Sequence, residues 1–375
     1  MLPKVTIIVP AFNAGKYIRQ AINSIIEQTF LDWEAVVIDD GSTDDTPIVL
    51  NAYRDHPKFR IYHQDNSGIP ATVNRGIRLS QGEYLCKLDA DDYWDPQLLE
   101  TLVPVMDESP DAGIVYCDSR KINDEGYITT QRMVGFNNIM SNCPVADLLF
   151  GLYFPENTFL YRKKAFTDIG EYDLNFAVGS VYDVFLRIAS KFSLKYVNVN
   201  MGYYRTHPGC VTGDKGRLIE NFALIIKKNT PLFKKAGIED HVIEKAISLC
   251  RPMPDGQFDC AHEDLMARLM VYSKFFYLKN HLLPELKEVC IYGAGAAGRL
   301  SPEAAGYFGI KVHKIFDSSR EKKGRDISGI KVCHSDQIRL GEQPIILVMS
   351  EHADEIARCL EAKSLKQPTD FLKMF

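Results

Sequence analysis

Five short apolar runs divide the first 120 residues, and most of them end in a polar or acidic cluster. They are VTIIVP (5–10), EAVVIDD (34–40), FRIYHQ (59–64), EYLCKLD (83–89) and AGIVYCD (112–118). Runs of this kind suit strands covered on both faces. Ile18, Ala21, Ile22, Ile25 and Ile26 recur at helical spacing after the first run, and Pro70 opens a helix that stops before Gly82. This alternation predicts a mostly parallel sheet flanked by helices. Such sheets bind ligands beyond the carboxyl ends of their strands. PAFN (10–13), DDGST (39–43) and DADD (89–92) lie at such ends, so three distant segments are expected to meet in one cleft.

KLDADDYWDP (87–96) crowds Asp89, Asp91, Asp92 and Asp95 together. Asp95 before Pro96 reads as a helix start, followed by an apolar face of Leu98, Leu99, Leu102, Val103 and Met106. Asp89 and Asp91, two apart on an extended segment, point the same way. Hard oxygen donors of this kind suit Mg2+ or Mn2+ against a diphosphate, and a solvated acidic loop is the alternative. The second run ends with Asp39 and Asp40, and a carboxylate there can accept from a base N–H or a ribose hydroxyl. Asp44 or Asp45 caps the helix after it, and Phe12 offers a ring to a planar base. Together these make a nucleoside-diphosphate site without the Gly-Lys-Ser/Thr ending of a P-loop.

A chain of 375 residues suggests two or three domains. Its net charge of −5 carries no basic footprint for nucleic acid. No apolar run approaches a membrane span, and strand-like sequence starts at Val5, which points to a cytoplasmic protein without a signal peptide. The nine cysteines include no CxxC pair and read as reduced core thiols rather than disulfides or zinc ligands. The expected layout is residues 1–212 as the nucleotide-binding domain, 213–285 as a helical linker region and 286–375 as a small α/β domain. Asp214 is expected to cap a helix with Leu218, Ile219, Phe222, Ile225 and Ile226 on its buried face. The apolar face of residues 263–283 reads as core. Peripheral contact of MVYSKFFYLK with the inner face of a membrane is the alternative.

These motifs, in this order over residues 4–210, resemble the family 2 glycosyltransferases. The resemblance implies a GT-A fold, a UDP- or GDP-type sugar donor, Mn2+ or Mg2+, and inversion by single displacement onto a hydroxyl of a glycan or lipid-linked acceptor in surface polysaccharide or glycan synthesis. Carried over by motif, Pro10, Phe12, Asp40, Gly68, Asn74, Asp89 and Ala90 line the donor. Asp89, Asp91 and His207 (of YYRTHPG) serve the metal, with Asp91 the better ligand of the DxD pair. The family's base lies in an acidic pair before a helix. Here GSVYDVFLRIA (179–189) puts Ser180 and Val181 at those positions, so Asp183 is the substitute and Glu156 the second candidate. Because Val181 cannot accept a proton, a catalytically impaired nucleotide-sugar-binding protein or scaffold is the alternative function.

GAGAAG (293–298) follows a strand and should open a helix, and Asp317 ends the next strand. Gly293, Gly295, Gly298 and Asp317 fit a dinucleotide fingerprint. The tail resembles the Rossmann-like nucleotide-binding domains that precede sugar-nucleotide dehydratases. A purely structural or homo-oligomer-forming domain is the alternative. No Tyr-x-x-x-Lys follows the glycine loop, which argues against an oxidoreductase or epimerase.

Overall fold

The computed structural model describes residues 2–131, 144–150, 156–210, 215–250, 269, 271–339, 344–349, 353–362, 365–367 and 371–374. They form two compact units, Met1–Ala146 with Leu152–Ile238, and Asp147–Gly151 with Glu239–Phe375. The stretch expected as a separate linker region contributes to both.

The first unit begins with β1 (Val5–Ala11), α1 (Ile18–Ile26), β2 (Trp33–Asp39), α2 (Thr46–Asn51), β3 (Phe59–His63), α3 (Ile69–Leu79) and β4 (Tyr84–Lys87). The two-residue β5 (Tyr93–Trp94), α4 (Leu98–Asp107), the long β6 (Ala112–Ile122) and β7 (Ile128–Thr130) follow. Then come α5 (Pro144–Asp147), β8 (Leu160–Arg162), α6 (Lys163–Ile169), α7 (Ser180–Ala189), β9 (Ser193–Arg205), α8 (Lys215–Lys228) and α9 (Thr230–Lys235). The sheet order is β3-β2-β1-β4-β8-β6-β9-β5, with β7 beside β6. β3, β2, β1 and β4 run parallel, as the alternation predicts. β8 is antiparallel to both β4 and β6. β1 therefore sits where the order reverses, with β2 and β4 on its two sides, and their carboxyl ends open a crevice.

β1 and β2 are buried along their whole length, which is why they read as continuous apolar runs. Val5, Ile7 and Val9 share one core with Ile18, Ile22 and Ile25 of α1 and with Leu98, Leu99, Leu102 and Met106 of α4. Each such side chain contributes about 1.5–3 kcal/mol by leaving water. Ile26, expected on that face, is instead 40% exposed at the end of α1. Asp95 starts the turn into α4, its Oδ1 accepting from Gln97 N–H at 3.1 Å. Asp44, rather than Asp45, holds the start of α2: its Oδ1 accepts from Thr46 N–H at 2.9 Å and its Oδ2 from Gly15 N–H at 2.9 Å.

In the second unit, α10 (Asp240–Leu249) precedes a sheet ordered β12-β13-β11-β10-β14-β15. Its strands are β10 (Glu288–Tyr292), β11 (Lys311–Asp317), β12 (Asp326–Ile327), β13 (Ile330–His334), β14 (Ile346–Val348) and β15 (Phe371–Lys373), with α11 (Ala296–Tyr307) and α12 (Ala353–Glu361) beside them. β13, β11, β10, β14 and β15 are parallel. In the segment held open as a membrane helix, Val271, Tyr272, Phe275, Phe276 and Leu278 are buried. Tyr272 and Phe276 lie against the rings of Phe150 and Phe308. That apolar surface is core, which corrects the membrane alternative for these residues. Among the described residues no helix is long and apolar enough to cross a membrane. Asp214 and residues 263–268 lie outside the described residues.

Candidate active site

The three strand-end motifs meet in the crevice. Asp40 N–H donates to Ala11 O at 2.8 Å and Leu88 N–H to Ile8 O at 3.0 Å, tying β2 and β4 to the end of β1. Asn13 takes left-handed backbone geometry (φ 48°), which its short polar side chain tolerates. Its N–H donates to Ser42 Oγ at 2.9 Å, and its Oδ1 accepts from Thr43 N–H at 2.9 Å. PAFN and DDGST are therefore laced together across the cleft floor. Phe12 is 49% exposed, and its ring is available to a ligand.

Asp40 is buried, and its carboxylate is fully engaged by the protein. Oδ1 accepts from Gln64 Nε2 at 2.6 Å and Ser67 N–H at 2.9 Å, and Oδ2 accepts from Gly68 N–H at 2.9 Å. Burial pushes this carboxyl up, but those donors more than offset it and hold it below the usual carboxylate range. Asp40 thus shapes the turn at Gly68 (φ 85°) that leads into α3. Pro10 is buried in β1, and Asn74 is buried, with its amide paired to the backbone of Tyr172 at 2.8 Å in both directions. These three are enclosed by the protein, whereas Phe12 is exposed and Gly68 half-buried.

The crowded aspartates separate into three environments. Asp92 is buried and accepts from Asn157 Nδ2 at 2.9 Å and Arg205 N–H at 2.8 Å. Desolvation, then the neighbouring Asp91 and Asp89, push its carboxyl well above the ordinary value. Asp89 lies 3.1 Å from Lys87 Nζ, which also reaches Glu156 at 2.7 Å. Desolvation raises the Asp89 carboxyl despite Lys87, with Asp91 and Glu156 adding to the rise. Asp91 faces His207, whose Nε2 is 3.0 Å from its Oδ2. The intervening Ala90 is buried. β9 makes this meeting by pairing antiparallel with β5, where the Tyr93 and Tyr203 rings stack at 4.3 Å.

Three residues of this cluster were not singled out from sequence. Lys87 is buried beneath the acids. Desolvation alone would lower its pKa, but Asp89 and Glu156 hold it well above the ordinary lysine value. A lysine inside an otherwise apolar strand was its signal. Arg205 is 3% exposed and fastens several segments: Nε donates to Asp91 O at 2.9 Å, one terminal nitrogen to Asp124 O at 3.0 Å, and the other to Gln20 Oε1 at 2.7 Å. Cys210 lies just past His207.

Asp183 does not face the cleft as a free base. Its side chain is fully buried, with Arg187 at 2.8 Å, Lys228 at 2.8 Å and Asn229 Nδ2 at 2.9 Å. Those partners bind α7 to α8 and the start of α9. This corrects the expectation from sequence: a carboxylate cut off from solvent and held by two cations is not poised to take an acceptor's proton. Glu156 is likewise buried, between Lys87, Tyr161 and Tyr172.

In the second unit GAGAAG connects β10 to α11. A Cβ at Gly298 would lie 1.6 Å from Gly293 O, whereas one at Gly295 would meet nothing within 4 Å. Asp317 accepts from Ala294 N–H at 2.8 Å, from Ser319 N–H at 2.8 Å and from Lys322 Nζ at 3.1 Å. Burial raises its carboxyl, and these three donors more than offset that, lowering it overall. Its oxygens thus fasten the glycine loop to the turn that follows β11.

Residues 6–170 match the family model described as glycosyl transferase family 2. The chain is 32% identical over 199 residues to a chondroitin synthase of Escherichia coli, a match covering 52% of this chain and 28% of that protein. It is 30% identical over 226 residues to the glycosyltransferase GlyG of Streptococcus pneumoniae, covering 55% of this chain and 72% of GlyG. The chain thus spans well under half the length of the synthase but most of GlyG. Among solved structures, S. aureus TarS 1–349 in complex with UDP-GlcNAc is similar with a TM-score of 0.54 at 16% identity, over 82% of this chain and 88% of that one. At that identity the likeness speaks for the fold alone.

Proposed function

Because the chain belongs to glycosyl transferase family 2 and its first unit has the GT-A fold, we propose that it transfers a sugar from a nucleoside-diphosphate sugar to a hydroxyl acceptor. The observation that carries this is the meeting of Phe12, the Gly68 turn, Asp89 and Asp91 at the carboxyl ends of parallel strands. Phe12 stacks on the base, and the Asn13–Thr43 lacing fixes the floor beneath it. The donor is of the UDP or GDP type. The naming of one relative as a chondroitin synthase supports a polysaccharide product, and the acceptor we propose is a hydroxyl of a glycan or lipid-linked chain.

The donor set fits a divalent ion. Asp91 and His207 are half-buried and converge, whereas the Asp89 carboxylate is paired with Lys87 at 3.1 Å. Bound there, Mn2+ or Mg2+ offsets negative charge on the leaving diphosphate. Lys87 holds Asp89 in place from below, and Arg205 fixes the backbone of Asp91.

A second reading rests on Val181, Asp183 and Glu156. With valine at the expected base position and both substitutes buried in ion pairs, the chain binds a nucleotide sugar without transferring it. One experiment separates the readings: isothermal titration with UDP- and GDP-sugars, with and without Mn2+, followed by product analysis with polysaccharide and lipid-linked acceptors. Ion-dependent donor binding with transfer supports the enzyme, and binding without transfer supports the second reading. Failure of every donor to bind overturns both.

A further inference from the structure

Among the described residues, Asp91, His207 and Cys210 form the one group of three His, Cys, Asp or Glu donors whose ligand atoms all lie within 4.8 Å of one another. The three are half-buried, so the point they surround is reachable from the cleft. We infer that Cys210 is a third protein ligand of this cation site and makes it thiophilic, favouring Zn2+, Co2+ or Cd2+ over Mg2+. This deepens the donor-site reading and rests on Asp91 and His207 serving a cation. It also departs from the sequence expectation that no cysteine ligates a metal.

The local backbone is built for it. Cys210 N–H donates to His207 O at 3.1 Å, closing a turn that folds the sulfur back toward the imidazole. His207 N–H lies 3.3 Å from Cys210 Sγ, a backbone donor of the kind that stabilises a metal-bound thiolate. The His207 ring is held against Tyr17 with centroids 4.7 Å apart. Arg205 fixes the other side by bonding Asp91 O at 2.9 Å. Bonds of about 2.0–2.3 Å to oxygen, nitrogen and sulfur set tetrahedral ligand atoms roughly 3.3–3.8 Å apart, so the three side chains would close in around the ion as it binds.

Loading is balanced as follows. The thiol proton, which faces Arg205 O at 3.5 Å, leaves to solvent as the metal–sulfur bond forms. Gly209 N–H donates to His207 Nδ1 at 3.1 Å, so the neutral ring carries its proton on Nε2, toward Asp91. Ligation through Nε2 moves that proton to Nδ1 and gives up the Gly209 contact. Three protein ligands leave positions open for diphosphate oxygens, as in catalytic rather than structural zinc sites. Mg2+, which demands near-octahedral oxygen coordination, gains little from sulfur, whereas softer ions gain directly.

The test uses the full chain without any donor. Cd2+ is titrated while the ultraviolet sulfur-to-cadmium charge-transfer band is followed, and Co2+ is titrated while its visible spectrum is followed. The wild type should show a one-equivalent Cd2+ band. Cys210→Ser should lose that band and bind Cd2+ more than ~10-fold more weakly. Asp91→Asn and His207→Gln should weaken the same band, because all three share one ion. Cys210→Ser should change Mg2+ affinity far less. An undiminished band in Cys210→Ser, or one insensitive to Asp91→Asn, overturns the inference. Should Cys210→Ser fail to fold, the wild-type Co2+ spectrum decides: tetrahedral bands with a thiolate charge transfer support the site, and an all-oxygen spectrum overturns it. Donor binding is measured separately in Mg2+, so loss of nucleotide-sugar binding would strike the function reading and leave the cysteine result standing.

Discussion

Both units end a strand in an acid beside a glycine-bearing loop, and in both that acid serves the loop. Asp40 accepts from Ser67 and Gly68 N–H, and Asp317 from Ala294 and Ser319 N–H. The first unit adds a second tier of acids. β5 and β9 bring His207 to Asp91, and Lys87 holds Asp89, so their partners are two cationic or ionisable side chains rather than loop amides. The comparison separates two jobs that look alike in sequence. A strand-end acid first satisfies the backbone N–H groups of a neighbouring loop, and the proposed chemistry falls to Asp91, which meets His207 instead.

The largest test of that division is Asp183→Ala. If Asp183 is a packing acid, its loss leaves the part-buried Arg187 without its carboxylate, while Lys228 keeps Asp173 at 2.8 Å, and costs about 3–5 kcal/mol of stability. Chemical denaturation should show this, while donor affinity of the folded fraction stays near wild type. A stable variant with transfer reduced about 10²–10⁴-fold would return Asp183 to the role of base.

Asp91→Ala should do the reverse. Removing a cleft acid relieves crowding with Asp89 and Asp92, so the melting temperature should hold or rise. Mn2+-dependent affinity for a nucleoside diphosphate should fall on the order of 100-fold, since losing a ligand exceeds the loss of an outer-shell partner. Calorimetry with and without Mn2+ reads the difference. Equal binding in both conditions would move the metal away from DADD.

How far these roles were legible follows from what is local in the chain. The parallel sheet showed itself because strands covered on both faces must be apolar throughout, as β1 and β2 are. The DADD cluster was visible because three carboxylates so close need an explanation. The division of labour among them was not visible, because it depends on β9 pairing with β5 across more than 100 residues, with register Tyr93 to Tyr203. No periodicity encodes that pairing, and only the family resemblance brought His207 to Asp91. Asp183 misled for the same reason. Its i,i+4 partner Arg187 could be read from the helix, but Lys228 and Asn229 come from α8 and its end. Lys87 sits in a strand pattern that predicted only burial, and its partner Glu156 lies 69 residues on.

The second unit offers a narrower test. Gly298→Ala should force the loop apart, because the added carbon meets the Gly293 carbonyl, and should destabilise this unit by about 1–3 kcal/mol. Gly295→Ala meets open space and should leave the fold unchanged. If the loop cradles a pyrophosphate, Gly295→Val abolishes its binding without affecting stability. Titration of NAD, NADP and nucleotide sugars against the full-length Gly295→Val variant and the wild type is the check. Identical heats for every ligand would leave this glycine loop with a packing role only.

The smallest expected effect is the pH dependence of the two loop acids. Both Asp40 and Asp317 have carboxyls held below their ordinary value, burial opposing and hydrogen bonds prevailing. A carboxyl depressed on folding adds stability above the unfolded value of about 3.9 and loses it as pH falls through the folded value. Both should therefore steepen the acid limb of stability below about pH 4, and Asn at either position should flatten it. The two differ in what holds them. The donors to Asp40 are neutral, whereas Asp317 also has Lys322 at 3.1 Å. Salt screens a partly exposed ion pair more than it weakens neutral hydrogen bonds. Raising ionic strength should thus diminish the Asp317 contribution and leave that of Asp40 nearly intact, read as acid-limb slopes of Asp317→Asn and Asp40→Asn against wild type at low and high salt. Equal salt sensitivity at the two sites would show that Lys322 contributes little. Neutral donors alone would then hold Asp317, as they hold Asp40.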